Sequence, residues 1–189
     1  MDNKKFDPKK LAKLNNPKRL KDIPPDYIGA KLALERPEVL VEIGAGTGFF
    51  SIALQHYYNP AKIFACDISA TMIDWMTSNV SPVHPAILPV KCAERAIPLD
   101  DGIADLLYMI NLHHELDEPA ATLAESFRLV KPGGTLLIID WKKQEMKQGP
   151  PEEIRCHPEV VAEQLAQAGF GNIALFEELP KHFMVVGKK

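Results

Sequence analysis

The chain has 189 residues, 46% hydrophobic and 25% charged, a composition typical of one globular domain with enough chain to bury a core. The net charge of −3 gives no overall attraction to nucleic acid, and no apolar run is long enough to span a bilayer. The N-terminus lacks the apolar core of a secretory signal, and three scattered cysteines favour reduced thiols in the cytoplasm over a disulfide framework.

Residues 1–36 are predicted to form a helical arm belonging to the same domain as residues 37–189. Prolines divide this arm, and a helix is predicted over residues 26–35, ending before Pro37. The first 21 residues carry only two acids, Asp2 and Asp7, against eight cations, which are Lys4, Lys5, Lys9, Lys10, Lys13, Lys18, Arg19 and Lys21. This pattern fits either a solvated arm or a patch that steers an anionic substrate.

From residue 39 onward, short apolar strands alternate with helical patterns. Strands are predicted at residues 39–43, 62–66, 86–90, 104–110 and 135–140, with a tight turn at residues 131–134. Helices are predicted at residues 49–58, after Ser69, from Pro119, and from Pro158 to Gly169. Two final strands, at residues 173–178 and 183–186, are joined by a short link and are expected to pair antiparallel.

This order predicts an α/β fold with a doubly wound, seven-stranded, mostly parallel sheet, an antiparallel C-terminal strand and helices on both faces. Ligands of such sheets bind outside the carboxyl ends of the strands. Residues that directly follow each strand are therefore the candidates for chemistry.

A glycine-rich loop follows the first strand at residues 44–48, with the sequence Gly-Ala-Gly-Thr-Gly. Glycines allow a sharp turn and close approach of a ligand, and the next helix N-terminus offers unpaired N–H groups. Glu42 precedes this loop, and Asp67 ends the second strand, where a carboxylate can accept both ribose hydroxyls of an adenosine. Phe49 stands where the dinucleotide fingerprint requires glycine, which disfavours a nicotinamide cofactor.

Four segments resemble the motifs of class I S-adenosylmethionine-dependent methyltransferases, in that family's order. They are VEIGAGTG at residues 41–48, ACDIS at 65–69, AERAIPL at 93–99 and LVKPGGTL at 129–136. The resemblance implies a Rossmann-like fold that binds S-adenosylmethionine and releases S-adenosylhomocysteine. The implied cofactor-binding residues are Glu42, Gly44, Ala45, Gly46, Gly48, Asp67, Ile68, Ala93, Glu94 and Asn111. Within this family, the chain most resembles the subgroup of quinone-biosynthesis and related small-molecule methyltransferases.

The adenine side departs from the family pattern at Cys92, where the family often has an acid. A thiol is a poor acceptor for the adenine amino group. Glu94 or a backbone carbonyl is then expected to accept that hydrogen bond, or the contact is absent.

The resemblance places the end of the fourth strand beside the cofactor's methyl group. His113, His114 and Glu115 follow that strand and are the predicted catalytic residues. An imidazole there can act as a base near neutral pH or orient an acceptor hydroxyl, and His114 is preferred because Glu115 can tune it. The alternative is that the histidines only hydrogen-bond the loop. No metal is expected, because the spacing matches no zinc pattern.

Substrate residues are predicted after the fifth strand, where this fold often covers the acceptor. Asp140 and Trp141 end that strand, with Trp141 expected to wall the pocket. Arg155 is predicted to pair with an anionic substrate group, against the alternative of an ordinary surface ion pair.

The predicted function is transfer of a methyl group from S-adenosylmethionine to a small-molecule acceptor, without a nucleic-acid partner. Two alternatives remain at this point: a module that binds the cofactor or a partner without catalysis, and a nicotinamide-dependent oxidoreductase. The sequence does not identify the acceptor or the oligomeric state.

Overall fold

The computed structural model describes residues 11–189 and is built on one seven-stranded sheet in the order β3-β2-β1-β4-β5-β7-β6. The strands are β1 (Val39–Ile43), β2 (Lys62–Asp67), β3 (Ile87–Lys91), β4 (Ala104–Ile110), β5 (Val130–Trp141), β6 (Gly171–Phe176) and β7 (His182–Lys188). Strand β7 runs antiparallel to both of its neighbours, β5 and β6. The other strands run parallel, so the predicted Rossmann-like fold is confirmed.

Seven helices are described on the two faces of this sheet. They are α1 (Leu11–Leu14), α2 (Arg19–Asp22), α3 (Pro25–Leu32), α4 (Phe49–Tyr58), α5 (Ala70–Asn79), α6 (Pro119–Leu129) and α7 (Pro158–Gln167). Short 3-10 turns follow β4 at His113–Glu115 and precede α7 at Glu152–Ile154. None of the helices within residues 11–189 has the length and apolar character needed to cross a membrane.

The sheet carries a separate hydrophobic cluster on each face, as expected when a central strand is apolar on both sides. Leu106 of β4 belongs to one cluster and its neighbour Leu107 to the other, and both are fully buried. Ile23 and Ile28 of the arm are buried in the same cluster as Leu106. The described part of the arm therefore packs against the sheet. The predicted boundary at residue 36 stays a prediction. Residues 1–10 lie outside the described residues.

Several predicted element boundaries were wrong, each for a local reason. Helix α3 begins at Pro25 and ends before Ala33, whose φ of 46° is left-handed, instead of continuing to residue 35. Ser69 makes no side-chain cap for α5, and its N–H instead donates to Asp67. The predicted limits of β2, β3, β6 and β7 differ from the observed ones by one or two residues.

The predicted turn at residues 131–134 is instead part of β5, which starts at Val130. The N–H of Gly133 donates to the carbonyl of Lys189, and the N–H of Lys189 donates to Gly134. The segment is thus hydrogen-bonded to the far end of the chain, and its pairing with β4 shifts register between Ala104 and Leu106.

Candidate active site

The glycine loop between β1 and α4 is packed between the arm and the end of β4. Gly44, Gly46 and Gly48 all have left-handed φ values, of 73°, 56° and 74°. A Cβ on Gly44 would lie 2.7 Å from Leu112 Cδ1, and a Cβ on Gly46 would lie 3.3 Å from Leu14 Cδ1. The loop therefore requires glycine both for its backbone conformation and for these close approaches.

Asp67, at the end of β2, is tied to the same loop. Its Oδ2 accepts the N–H of Gly46 at 2.7 Å, and its Oδ1 accepts the N–H of Ser69 at 2.8 Å. Burial raises the pKa of Asp67, and the hydrogen bonds from Ser69 and Gly46 offset part of that rise. The carboxylate is thus hydrogen-bonded to the glycine loop, which supports its predicted contact with the ribose.

Glu42, the last acid before the loop, is buried, with 3% of its surface exposed. Its Oε2 accepts hydrogen bonds from Ser51 of α4 and from Tyr108 of β4, the latter at 3.2 Å. Burial raises the pKa of Glu42 to about 7, and the bonds from Ser51 and Tyr108 lower it only in part. Glu42 therefore joins β1, β4 and α4, and its direct contact with the cofactor stays a prediction.

Two buried polar atoms beside the loop have no hydrogen-bond partner among the described residues. They are Thr47 Oγ1, in the loop itself, and Asn111 Oδ1, directly after β4. Asn111 has a left-handed φ of 58°. Buried polar groups are normally paired, so these two atoms fit a ligand that carries hydrogen-bonding groups. The loop glycines, Asp67 and these two unpaired atoms together fit the predicted cofactor. The sequence analysis missed Thr47 because its side chain is not part of the motif's glycine pattern.

On the adenine side, the carboxylate of Glu94 has partners other than those predicted. Its Oε1 accepts the N–H groups of Asp117 at 2.7 Å and Glu118 at 3.1 Å, at the start of α6. Anions at a helix N-terminus are stabilised by its free N–H groups. Through Oε1 this carboxylate thus binds the start of α6, and its contact with the adenine amino group stays a prediction.

The other adenine-side residues are a thiol and two apolar side chains. Cys92 is buried, and burial raises the pKa of its thiol to about 11, so the thiol is protonated at neutral pH. Ile68 is 42% exposed and Ala93 is exposed. Exposed apolar side chains are compatible with contact to a purine ring, but the contact of Ile68 and Ala93 with it stays a prediction.

His114 and Asp140 form a buried pair across the ends of β4 and β5. His114 Nδ1 lies 2.7 Å from Asp140 Oδ1, and the backbone N–H of His114 donates to Oδ2 at 3.0 Å. The hydrogen bond and charge of Asp140 raise the pKa of His114 against the lowering effect of burial. In return, His114 holds the pKa of Asp140 below its usual value although burial acts to raise it.

The three predicted catalytic residues make different contacts, and the charge of Glu115 adds to the rise in the pKa of His114. Nε2 of His114 lies 3.6 Å from Glu115 Oε1, longer than a hydrogen bond. His113 is 2% exposed, and its Nε2 lies 2.8 Å from Oε1 of Gln164 in α7. His113 therefore fastens the 3-10 turn to α7, while His114 has the carboxylate-bound arrangement of a base.

Trp141 and Arg155 occupy the connection that follows β5. The Trp141 ring lies 4.2 Å from the His182 ring, and a Cβ on Gly149 would lie 2.9 Å from Trp141 Cε3. His182 was missed by the sequence analysis. Because these two residues pack on the indole, its role as a wall of the acceptor pocket stays a prediction.

Arg155 is 4% exposed and donates five hydrogen bonds, all to backbone carbonyls of its own loop. The acceptors are the carbonyls of Lys142, Gln144, Gln148 and Pro150, the last of which accepts two bonds. A guanidinium has five N–H groups. The predicted pairing of Arg155 with an anionic substrate is therefore corrected: its donors are used to shape the loop.

We expect Asp67→Ala to weaken S-adenosylhomocysteine binding by about 1–3 kcal/mol, because charged hydrogen bonds to the ribose are lost. Isothermal calorimetry measures this change. The matched control is Asp105→Ala, which removes a carboxylate that also accepts two backbone N–H groups but lies at the start of β4. An unchanged affinity in Asp67→Ala would show that this acid does not contact the cofactor.

We expect Arg155→Ala to lower the free energy of unfolding by about 2–4 kcal/mol, because the carbonyls of the loop lose a buried donor that joins them. Urea denaturation measures the loss, and limited proteolysis should cut within residues 142–155. Arg155→Lys should recover little of this stability, because an ammonium cannot reproduce five fixed donors. Arg95→Ala, at an exposed ion pair with Glu118, is the control. Wild-type stability combined with a raised acceptor KM would restore the substrate role for Arg155.

Comparison with known proteins identifies relatives of this chain. Residues 41–138 match the family described as a methyltransferase domain. A SAM-dependent methyltransferase from Aquifex aeolicus has the same fold with a TM-score of 0.90 and 32% identity, over 97% of this chain and 99% of the other.

Curated relatives match over shorter stretches and act on different acceptors. A malonyl-[acyl-carrier protein] O-methyltransferase of Hahella chejuensis is 28% identical over 53% of this chain and 36% of its own length. A tRNA N(3)-cytidine methyltransferase of Danio rerio is 27% identical over 62% of this chain and 35% of its own length. The chain thus spans about a third of the length of these relatives, and the resemblance to quinone-biosynthesis enzymes stays a prediction.

Proposed function

This chain belongs to the S-adenosylmethionine-dependent methyltransferase family, and we propose that it methylates a small molecule whose acceptor atom carries a proton, with His114 as the base. Membership of this family argues against the two alternatives, a non-catalytic module and a nicotinamide-dependent oxidoreductase. S-adenosylmethionine supplies a methyl group that is already activated on a sulfonium. The protein's task is then to position the acceptor, exclude water and remove a proton.

The observation that supports this proposal is the pair formed by His114 and Asp140. With its Nδ1–H donated to Asp140, the neutral imidazole keeps its lone pair on Nε2. Asp140 is held ionised by a low pKa and is fixed by the backbone N–H groups of His114 and Trp141. A neutral imidazole oriented in this way can take a proton from a hydroxyl, carboxyl or amine group of the acceptor.

The pair is supported in this role by its position relative to the cofactor loop. Leu112, two residues before His114, is the side chain that a Cβ on Gly44 would strike. The backbone N–H of Asn111 donates to Ile139, the residue before Asp140. The loop, the end of β4 and the end of β5 are therefore in direct contact, so a base on His114 is available to an acceptor held beside the cofactor.

The test is a screen for methyl incorporation with labelled S-adenosylmethionine and a cell extract separated into small-molecule, protein and RNA fractions. We expect label in the small-molecule fraction with the wild-type protein, and none with Gly46→Val, which serves as the binding-deficient control. Label confined to the protein fraction would instead favour a carrier-bound acceptor, like that in the name of the Hahella relative. Label confined to RNA would contradict the proposal.

A further inference from the structure

We propose that Lys181 is a positioning residue that couples the two sides of the active site, by fastening the β5–α7 loop (residues 142–157) to the N-terminal arm. Binding of the cofactor beside the arm then also fixes the loop on the acceptor side. The inference rests on the proposed function, because that function gives this loop an acceptor to cover. Lys181 lies in the β6–β7 connection (residues 177–181), outside the four family motifs.

The ammonium group of Lys181 bridges the arm and the loop. Its Nζ lies 2.9 Å from Oδ2 of Asp22, in α2 of the arm, and 2.8 Å from Oε1 of Gln148, in the loop. The side chains of Lys181 and Asp22 are 31% and 27% exposed, so water competes only in part for this ion pair. Because lysine has a long and flexible stem, Asp22 is what holds the ammonium in place for Gln148. The bond to the loop therefore depends on the position of the arm.

The arm also packs against the glycine loop that is predicted to bind the cofactor. A Cβ on Gly46 would lie 3.3 Å from Leu14 Cδ1, and the guanidinium of Arg19 donates to the carbonyl of Leu14 at 2.6 Å. The same guanidinium lies 4.6 Å from the ring centroid of Phe50, near the start of α4. Arg19 and Asp22 are the first and last residues of α2. A change in the order of the arm at the glycine loop therefore reaches Lys181 through a single helical turn.

On the other side of the link, the β5–α7 loop is built as one unit. The buried guanidinium of Arg155 donates to four backbone carbonyls of this loop, and one of them is that of Gln148. The backbone of Gln148 thus belongs to the internal frame of the loop, while its side chain accepts from Lys181. Fixing Gln148 therefore fixes the loop as a whole, next to Trp141, the predicted wall of the acceptor pocket.

A groove of about 320 Å³ lies beside the link, between the loop and the β6–β7 connection. Its lining residues are Gln144, Met146, Lys147 and Gln148 of the loop and Pro180 and Lys181 of the connection. At its first residue the loop has separate bonds, from the N–H of Lys142 to the carbonyl of Lys181 at 3.0 Å and from Nζ of Lys142 to the carbonyl of Glu177 at 2.7 Å. Because the groove leaves space for movement, the loop can pivot about Lys142 when the bond between Lys181 and Gln148 opens.

A second ion pair joins the arm to the same connection without involving the loop. Nζ of Lys31, in α3, lies 2.6 Å from Oε1 of Glu178. The side chain of Lys31 is 30% exposed, close to the 31% of Lys181. Loss of the Lys31 ammonium therefore removes a comparable attachment of the arm but leaves the bond to Gln148 in place, which makes Lys31→Met the matched control for Lys181→Met.

The test is hydrogen exchange of the backbone amides at residues 143–149, measured by mass spectrometry with and without saturating S-adenosylhomocysteine. In the wild-type protein we expect S-adenosylhomocysteine to slow this exchange at least fivefold. Lys181→Met keeps the aliphatic stem and removes the ammonium, so it should reduce the slowing to less than twofold. Lys31→Met should keep the slowing at the wild-type level. Calorimetry and thermal melting verify that each variant binds S-adenosylhomocysteine and is folded.

A charge exchange distinguishes the link from a merely structural role of the lysine. Asp22→Lys alone should reduce the slowing to less than twofold, because it places two cations together. Combining Asp22→Lys with Lys181→Glu restores an ion pair of reversed orientation. The amide group of Gln148 can then donate to the new carboxylate, where before its oxygen accepted from the ammonium. We expect this double variant to regain a slowing of at least threefold.

Three results would overturn the proposal. The first is that S-adenosylhomocysteine has no effect on exchange of the wild-type loop. The second is that the slowing is the same in Lys181→Met as in the wild-type protein. The third is that Lys31→Met and Lys181→Met lose it equally, which would assign the effect to general attachment of the arm. Since no turnover is measured, failure of the proposed function appears separately, in the fraction that takes up the labelled methyl group.

Discussion

Gly46→Val is expected to weaken binding of S-adenosylmethionine and S-adenosylhomocysteine at least a hundredfold, about 2.7 kcal/mol. Gly46 has a φ of 56°, which a β-branched residue adopts only with strain. A Cβ there would also lie 3.3 Å from Leu14, so the added methyl groups must enter the space between arm and loop. The change further displaces the N–H that holds the Asp67 carboxylate. Calorimetry with S-adenosylhomocysteine measures the loss.

The matched control is Gly133→Val, in β5. Gly133 has a φ of 79°, so valine meets a similar backbone strain there, but no atom lies within 4 Å of the Cβ it would introduce. We expect this variant to lose stability and keep its affinity for S-adenosylhomocysteine within about threefold. Normal binding by Gly46→Val would show that the cofactor does not pass this glycine.

The sequence predicted those parts of the fold that depend on local patterns. The bounds of β1, α4 and β4 agree with the structure, because an apolar run in each case meets a glycine or polar residue that ends it. The start of β5 was missed because its place in the sheet involves hydrogen bonds with Lys189, at the far end of the chain. Such a contact leaves no trace in the residues around Gly133.

Within the site, the sequence located residues near one another without revealing their partners. Asp140 and His114 were both candidates, but their pairing depends on how the ends of β4 and β5 meet in space. Arg155 has the residue type of an anion binder, and only the path of the loop shows that its five donors face backbone carbonyls. A signal for His182 was present, since it is a polar residue at the start of an otherwise apolar strand, but that pattern alone does not distinguish a site from a strand end.

His114→Ala is expected to lower kcat by about 100-fold, the typical contribution of a general base, once the extract screen has supplied an acceptor. Affinity for S-adenosylhomocysteine should stay within about threefold, under ~1 kcal/mol, because the imidazole pairs with Asp140 and not with the cofactor loop. His113→Ala is the matched control: it removes the neighbouring imidazole, which contacts Gln164 of α7, and should keep kcat within about threefold.

The pH dependence of kcat distinguishes a base from a structural histidine. His114 must be neutral to accept a proton, and its pKa is raised by Asp140, so activity should rise with pH through a value above the ordinary histidine pKa. In Asp140→Asn the carboxylate is gone while burial still lowers the pKa, so the rise should move to lower pH. The plateau should also fall, because the amide no longer fixes Nδ1 as the donor. A pH profile that is the same in wild type and Asp140→Asn, or wild-type turnover in His114→Ala, would remove His114 from the mechanism and leave positioning alone as the source of rate.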